Sequence, residues 1–469
     1  MVEVTQRSAI ARWPHAVVLL LGLWMILSPL YLGHFDAEAM QNVARDVTAE
    51  RAVPAPATRG MLAGINAIVT GLLIVALAGL SLLGRHAWAP WVTMLVGVWL
   101  LYAPLVFWAP TFALYANDTV VGFAVILLVL VLTRPPGSNP AALADPSDVP
   151  PGWTYSPSVF RQRLPIVVLA LVCVAFAVPM TAFQLGHIDG LQDPFFSGFG
   201  GRNGTETVLG SEISKAIPVA DAGLGVTAYL FEVLLGLQGG RRRWRTSPWS
   251  VAMFAAVVVP LGVVSITFII IQPILIGTYC TFCLVTAGAM LIMIPFALDE
   301  AIATVQFVWR RWRSGAPLLA TFFRGGTIAG TVTSERRPPE EPYVTWTLVD
   351  MGRGITLPWN LLLATVIGAL LMFSPMVIGH DAPLVDTLHL VGSLAVTVSV
   401  IAMAEPVRLL RLLDVPLGLW LIAAPWLVAG ATTFGTLLSI GGGILLVLFA
   451  LPQGTRSAER FGGWERQPV

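Results

Sequence analysis

Residues 249–273 read WSVAMFAAVVVPLGVVSITFIIIQP and contain no charged side chain. A helix needs about 20 mainly apolar residues to cross the hydrocarbon core of a bilayer. This stretch is therefore predicted to be a membrane-spanning helix. Its apolar positions are continuous and do not alternate with polar ones, which excludes a strand of a membrane barrel.

The rest of the chain has the same character. Of its 469 residues, 56% are hydrophobic and 11% are charged, whereas soluble domains are usually about one-quarter charged. The net charge of +1 gives no field that would favour nucleic acid. Apolar runs occur near 15–33, 61–83, 88–107, 119–133, 164–184, 219–238, 249–273, 280–298, 359–379, 384–403, 412–430 and 434–451. We predict an all-α polytopic membrane protein with about 12 transmembrane helices.

The arginines predict the orientation. If the spans alternate in direction, most arginine clusters fall on one side of the membrane, at Arg7, Arg12, Arg85, Arg134, Arg161, Arg163, Arg241–Arg243, Arg245, Arg310, Arg311, Arg313, Arg408, Arg411, Arg456 and Arg460. Because cytoplasmic loops are enriched in Lys and Arg, this side is predicted to be cytoplasmic, with both termini inside.

The outer spans repeat one motif. A Gly and a Pro lie seven residues apart in four spans, at Gly22 and Pro29, Gly97 and Pro104, Gly368 and Pro375, and Gly418 and Pro425. A second helix with a Gly step follows each copy, at Gly71, Gly122, Gly392 and Gly441. Such glycines let membrane helices approach closely. The pattern over residues 13–133 and 357–451 resembles the SPW repeat, a two-helix membrane unit. Only Ala424-Pro425-Trp426 keeps the Trp after the Pro, and the resemblance implies no known chemistry.

These features predict six segments. They are a membrane block at 1–134, a Pro-rich cytoplasmic linker at 135–160, a four-helix bundle at 161–313, a cytoplasmic loop at 314–357, a second membrane block at 358–455 and a cytoplasmic tail at 456–469. The loop carries the polar stretch 335–342 and is predicted to be flexible.

Chemistry is concentrated at Tyr279-Cys280-Thr281-Phe282-Cys283, where span 8 begins on the outer side. Two cysteines three residues apart share one helix face and can form a disulfide or a dithiol. A helix N-terminus favours the thiolate. A structural zinc site would need four ligands, and the chain has three cysteines. The alternative is that the two cysteines are merely small buried residues, as we expect for Cys173 in the middle of span 5.

Spans 5–8, about residues 160–300, resemble the vitamin K epoxide reductase (VKOR) family. The resemblance rests on the C-x-x-C motif at the start of the fourth helix and on the long outer loop at 185–217. Further matches are Phe199-Gly200 and Val208-Leu209-Gly210 in the loop, and Asp221-x-x-x-Gly225-x-x-x-Tyr229 at the start of the second helix.

The resemblance implies a membrane thiol–quinone oxidoreductase. Cys283 would be the thiol that meets the quinone, and Cys280 would be its disulfide partner, which receives electrons from outside. Asp221 would hydrogen-bond a quinone carbonyl when protonated or through a water, with Tyr229 and Phe282 completing the implied site. The implied cofactor is menaquinone or ubiquinone, and no metal is expected.

Two departures from the family are visible. The outer loop lacks the cysteine pair that usually relays electrons to the C-x-x-C motif, and Ala287 stands where a Tyr is common. An external dithiol would then have to reach Cys280 directly.

Three function classes stay open. The first is the enzyme, and the second is an accessory subunit of a membrane redox complex that retains the VKOR fold. The third is a transporter, which the duplicated halves suit, although the repeats flank the middle block. The expected location is the bacterial inner membrane, with the C-x-x-C on the periplasmic side. The expected partners are lipids, quinone and an external thiol protein or other subunits.

Other polar residues admit two interpretations. His34, His187 and His380 each follow a Gly at the end of an outward span, which favours helix capping over a metal or haem site. Asp221 could instead cap its helix. For Glu232, His389 and Glu405, which lie within or beside spans, the sequence leaves a structural pair and a proton path open.

Overall fold

The computed structural model describes residues 12–41, 43–84, 86–131, 138–334, 348–379 and 382–464. The predictions on Arg7, Arg85, Arg134, His380 and residues 335–342 lie outside this part of the chain. Within it, the regular structure is helical, and β-pairing is limited to isolated bridges. The predicted all-α class is therefore confirmed.

Twelve long helices follow the predicted apolar runs. They are α1 Trp13–Tyr31, α2 Pro56–Leu82, α3 Ala89–Val106, α4 Phe112–Val131, α5 Phe160–Leu185, α6 Asp221–Leu237, α7 Pro248–Ile276, α8 Thr281–Arg313, α9 Trp359–Ile378, α10 Pro383–Ile401, α11 Asp414–Leu427 and α12 Thr433–Ala450. Ten of them are long and apolar enough to cross a membrane. The other two, α6 with 17 residues and α11 with 14, are shorter. The protein is a multi-pass membrane protein, and the count of twelve spans stays a prediction.

The other helices are short and connect the long ones. They are Ala37–Gln41, Thr48–Arg51, Pro140–Ala144, Gly204–Leu209, Glu212–Lys215, Arg243–Thr246, Leu318–Arg324 and the 3-10 helix Glu405–Leu413.

Proline and threonine side chains set several helix boundaries. Pro56, Pro248 and Pro383 occupy the first helical turn, where the missing N–H has no intrahelical partner to lose. The hydroxyl of Thr432 accepts a hydrogen bond from the Gly435 N–H and so caps α12. In α9 the regular helix stops at Met372 and resumes at Pro375–Ile378, because a proline cannot donate the next backbone hydrogen bond.

The chain forms two compact units. Unit 1 comprises Met1–Asn139, Cys173–Gln192 and Leu209–Gly239, and unit 2 comprises Pro140–Val172, Asp193–Val208 and Gly240–Val469. Unit 1 thus contains α1–α4, α6 and the second half of α5, whereas unit 2 contains α7–α12. The six predicted segments stay predictions.

Within each unit the repeated motif packs through paired glycines. An added Cβ would lie 2.8 Å from Gly22 O at Gly71 and 2.8 Å from Gly97 O at Gly122. In unit 2 the corresponding pairs are Gly368 with Gly392 and Gly418 with Gly443. The prediction that Gly441 is the packing glycine of α12 is wrong, since a Cβ there would meet nothing within 4 Å. Three consecutive glycines occupy residues 441–443, and only the third faces the partner helix.

Part of the linker, loop and tail packs together within unit 2. Trp153 and Tyr155 of the linker form a buried cluster with Phe461 of the tail. The loop contains the helix Leu318–Arg324, and its Val332 bridges to Val149. These described residues of the linker, loop and tail therefore belong to the folded core of unit 2.

Candidate functional site

Cys280 and Cys283 form a disulfide at the start of α8, with their Cα atoms 5.2 Å apart. Cys280 is the N-cap residue, and its Sγ accepts a hydrogen bond from the Cys283 N–H at 3.0 Å. The Cys280 N–H in turn donates to Gln272 Oε1 at 3.0 Å. The pair therefore lies on the free N–H groups of a long helix, where partial positive charge stabilises a thiolate.

The two cysteine residues differ in exposure. Cys280 is 0% exposed, whereas Cys283 is partly exposed, like its neighbours Phe282 and Leu284. An attacking thiolate must reach a sulfur along an open path. Of the two residues, Cys283 is the more accessible one in this conformation.

The loop at 185–217 is fastened to the start of α8 by a residue that the sequence analysis missed, Asp193. Its carboxylate accepts hydrogen bonds from the N–H groups of Phe195, Phe196, Thr205 and Thr281, each at 3.1 Å, and from the hydroxyls of Thr205 and Thr281. Partial burial alone would raise the pKa of Asp193. The hydrogen bonds from Thr205, Thr281 and the backbone outweigh burial and lower the pKa to about 2.

Thr205 covers Cys280. Its Oγ1 lies 3.5 Å from Cys280 Sγ and 2.6 Å from Asp193 Oδ2. The neighbouring Gly204 lets the loop approach this closely, because a Cβ there would collide with the carbonyl oxygen of Tyr279. The Thr205 hydroxyl thus contacts Cys280, the buried cysteine of the pair. No sequence signal marked Thr205, since its role depends on how the loop folds back.

Tyr279, directly before Cys280, is enclosed by aromatic rings. Its ring centroid lies 5.2 Å from Phe196 of the outer loop, and 5.7 Å from both Phe373 of α9 and His389 of α10. Its hydroxyl donates to Met372 O at 3.0 Å. The C-terminal repeat helices therefore contact the residue that precedes the disulfide.

The other implied quinone residues lie in unit 1. Tyr229 is buried in α6. Asp221 is the first residue of α6, and its Oδ1 accepts hydrogen bonds from Gln184 Nε2 and, at 3.0 Å, from Ser214 Oγ. The N-cap residue of α6 is Ala220, so Asp221 does not cap the helix from that position. Cys280, Cys283 and Phe282 belong to unit 2, whereas Asp221 and Tyr229 belong to unit 1.

A third cysteine, Cys173, and a buried glutamate, Glu232, lie inside unit 1. Cys173 is fully buried in α5. Glu232 is 0% exposed in α6, and neither of its carboxyl oxygens has a hydrogen-bond partner among the described residues. A charge without a partner is very unfavourable in such a setting.

His34 and His187 follow glycines in the left-handed conformation, Gly33 with φ +66° and Gly186 with φ +83°. The His187 N–H donates back to Ala182 O at 2.8 Å and the His34 N–H to Pro29 O at 3.1 Å. This is the geometry of a glycine-terminated helix. Burial lowers the pKa of both imidazoles to about 4, so both rings are neutral at physiological pH.

The comparisons with known proteins agree with both sequence resemblances. Residues 164–298 match the model of the vitamin K epoxide reductase family, and residues 358–453 match the SPW repeat domain. No curated protein and no solved structure matches the chain. The resemblance of residues 13–133 to the same repeat stays a prediction. A VKOR-type domain indicates a membrane thiol oxidoreductase of a family generally associated with quinones, and the Cys280–Cys283 pair fits that class.

Proposed function

We propose that this protein is a membrane thiol–quinone oxidoreductase. The observation that carries the proposal is the Cys280–Cys283 disulfide at the N-terminus of α8, within the segment that matches the VKOR family. The expected setting is the bacterial inner membrane, with this pair on the periplasmic side and both termini in the cytoplasm. The donor would be an external thiol protein, and the acceptor a membrane quinone.

The proposed reaction has two balanced steps. An external dithiol attacks the disulfide and leaves as a disulfide itself, so two electrons and two protons pass to Cys280 and Cys283. The reduced pair then closes again to the disulfide and gives two electrons and two protons to the quinone. The net change converts a dithiol and a quinone into a disulfide and a quinol.

The residues around Cys283 suit an apolar acceptor. Cys283 is the partly exposed cysteine of the pair, and the apolar Phe282 and Leu284 beside it are also partly exposed. Menaquinone or ubiquinone, when bound, supplies a ring that accepts the two electrons. The chain's own residues would expose Cys283 to that ring and keep Cys280 behind the loop. Asp221 and Tyr229 remain candidates for binding a quinone carbonyl.

One observation favours a second candidate, an accessory subunit that retains the fold without turnover. Cys280 is covered by Thr205, and the outer loop has no cysteine that could relay electrons to it. An external thiol can reach Cys280 only if the loop opens.

The redox state of the pair in membranes separates the two candidates. Thiols are trapped with a maleimide mass tag before and after quinone depletion. The enzyme predicts an oxidised pair that becomes reduced when quinone is removed. A pair that keeps one state whatever the quinone supply would refute turnover and support the accessory subunit. A Cys173→Ser background removes the third thiol from the assay.

The covered position of Cys280 can be tested separately with T205C. Because Thr205 Oγ1 lies 3.5 Å from Cys280 Sγ, mild oxidation in a C283S background, where Cys280 is a free thiol, is expected to cross-link the new thiol to Cys280. The matched control is T207C, since the Thr207 hydroxyl bonds to Asn203 O. Equal cross-linking in both variants would contradict the closed loop.

A further inference from the structure

His389 of α10 joins three parts of unit 2. It is 0% exposed. Its Nδ1 lies 2.6 Å from Met372 O of α9, and its Nε2 lies 3.2 Å from Ile269 O of α7. The same Nδ1 is 3.3 Å from the hydroxyl of Tyr279. One imidazole of the SPW-repeat segment therefore contacts α7, Tyr279 just before α8, and the neighbouring repeat helix α9.

Both carbonyl groups need a donor from outside their own helices. The carbonyl of Ile269 would normally accept from residue 273, but Pro273 has no N–H. The carbonyl of Met372 would normally accept from Met376, whose N–H instead donates to Phe373 O at 3.1 Å. Inside a membrane protein such freed carbonyls are satisfied by side chains of neighbouring helices. The Tyr279 hydroxyl donates to Met372 O, and the single N–H of a neutral His389 ring donates to one of the two carbonyls, according to its tautomer.

The position of His389 is not a requirement of the repeat. Counting three residues before the packing glycine, the other copies have Ile68, Thr119 and Ile440 at this place. Their helices pair through glycines in the same way. The imidazole thus serves a purpose that belongs to this copy, the one whose neighbour is Tyr279.

We propose that His389 is a positioning residue for the Cys280–Cys283 pair, so that the C-terminal SPW repeat sets how readily the disulfide is reduced. His389 and Met372 O hold the Tyr279 hydroxyl, and Tyr279 is joined by one peptide bond to Cys280. Fixing Tyr279 keeps the Cys280 sulfur over the helix terminus and close to Cys283. This inference rests on the proposed function, because it takes the pair to be redox-active.

The test measures how reducible the pair is in the full-length protein in detergent micelles. The protein is equilibrated with mixtures of reduced and oxidised dithiothreitol, which exchange two electrons and two protons with the pair, and free thiols are counted with a maleimide mass tag. In H389I, Tyr279 loses a partner and the disulfide is less well held. The half-point is the ratio of reduced to oxidised reagent at which half of the pair is reduced. In H389I it is expected to be about three- to tenfold lower than in the wild type, the equivalent of one hydrogen bond.

Two conservative variants show which contact matters. The amide of H389N can take the place of Nδ1 and keep the link to Met372 O and Tyr279, whereas that of H389Q can take the place of Nε2 and keep only the link to Ile269 O. The half-point of H389N is expected near the wild-type value, and that of H389Q near the H389I value. Y279F, which keeps the ring and removes the hydroxyl, should shift the half-point in the same direction and still report if H389I fails to fold.

The control on the same helix is T387V. The Thr387 hydroxyl donates to Pro383 O within α10, so its loss should leave the half-point unchanged. A wild-type pair that titrates normally while H389I and Y279F keep the wild-type half-point would overturn the inference and leave the proposed function standing. Equal shifts in H389N, H389Q and H389I would also overturn it, since they indicate general loosening. A wild-type pair that cannot be reduced and reoxidised would instead reject the proposed function.

Discussion

The N-terminal repeat helices α1–α4 and the C-terminal repeat helices α9–α12 use the same glycine packing but different polar contacts. In α1–α4 the two copies bond each other reciprocally: Trp24 Nε1 donates to Asn117 Oδ1 and Trp99 Nε1 to Asn66 Oδ1, both at 2.7 Å. In α9–α12 the corresponding positions are Leu370 with Leu438 and Trp420 with Thr387. Leucines cannot make such a bond, and Thr387 bonds within its own helix.

The difference separates architecture from function in one repeat. The glycine contacts are common to all four copies and therefore belong to the fold. The polar contacts differ, and in α9–α12 the notable one, His389, is made to α7 and to Tyr279 beside the disulfide. Under the role proposed for His389, a repeat without chemistry of its own would support the disulfide pair by placing one polar side chain.

The largest expected effect tests the shared feature. At Gly443 a Cβ would lie 2.5 Å from Gly418 O, a backbone atom that cannot move aside easily. Gly443→Ala is expected to lower the free energy of unfolding by about 1–3 kcal/mol through overpacking. The matched control is Gly441→Ala, two residues away, where a Cβ meets nothing and the helix should gain up to about 1 kcal/mol. Thermal unfolding in detergent measures both. Effects of the same sign would contradict the packing.

This pair also shows what the sequence could predict. The apolar runs placed all twelve helices, because lipid demands long apolar segments. The Gly steps in three copies were correct because Gly71, Gly122 and Gly392 have no adjacent glycine that could take their place. In the fourth copy the choice among residues 441–443 depends on helix rotation, which spacing does not determine.

The site was predictable only where its parts are adjacent in sequence. Cys280 and Cys283 are one helical turn apart, so their pairing follows from local geometry. Thr205 contacts Cys280 itself, and Asp193 and His389 contact its neighbours Thr281 and Tyr279, from 75 to more than 100 residues away. Their side chains carry no motif of their own, and only the folded loop and the repeat helix bring them to the pair.

The second prediction concerns Asp193 beside the disulfide. Its contribution to stability should depend on pH, whereas that of the neutral Trp–Asn hydrogen bonds should not. The pKa of Asp193, about 2 in the folded protein, is below the unfolded value of about 3.9. Its stabilising contribution is therefore complete above about pH 4 and is lost as the pH falls through about 2. Replacing it in D193N is expected to cost about 1–2 kcal/mol near neutral pH, allowing for its partial exposure.

The measurement is the difference in Tm between the wild type and D193N from pH 6 down to pH 2. The difference should shrink below about pH 4. The control is D189N, four residues away at an exposed position, which should track the wild type throughout. A difference that stays constant to pH 2 would show that the charge of Asp193 does not hold the loop.

The third prediction concerns the bond between Trp99 and Asn66. N66L leaves the indole N–H without its acceptor, and W99F leaves the amide without its donor. Each single variant is expected to lose about 0.5–1.5 kcal/mol, and the double variant less than the sum, since replacing both polar partners is nearly neutral. A double-mutant cycle on thermal unfolding measures the coupling. Strict additivity would mean that the pair contributes nothing.

The smallest expected effect comes from building that bond into the other repeat. Thr387 is five residues before Gly392, as Asn66 is before Gly71, and Trp420 follows Gly418 by two residues, as Trp99 follows Gly97. If the two blocks share one geometry, T387N offers Trp420 an acceptor and should stabilise the protein by about 0.5 kcal/mol. T387A lacks the acceptor and should show no gain, and adding W420F to T387N should remove it. A gain that survives W420F would show that the blocks share their glycine contacts but not the helix rotation that directs the indole.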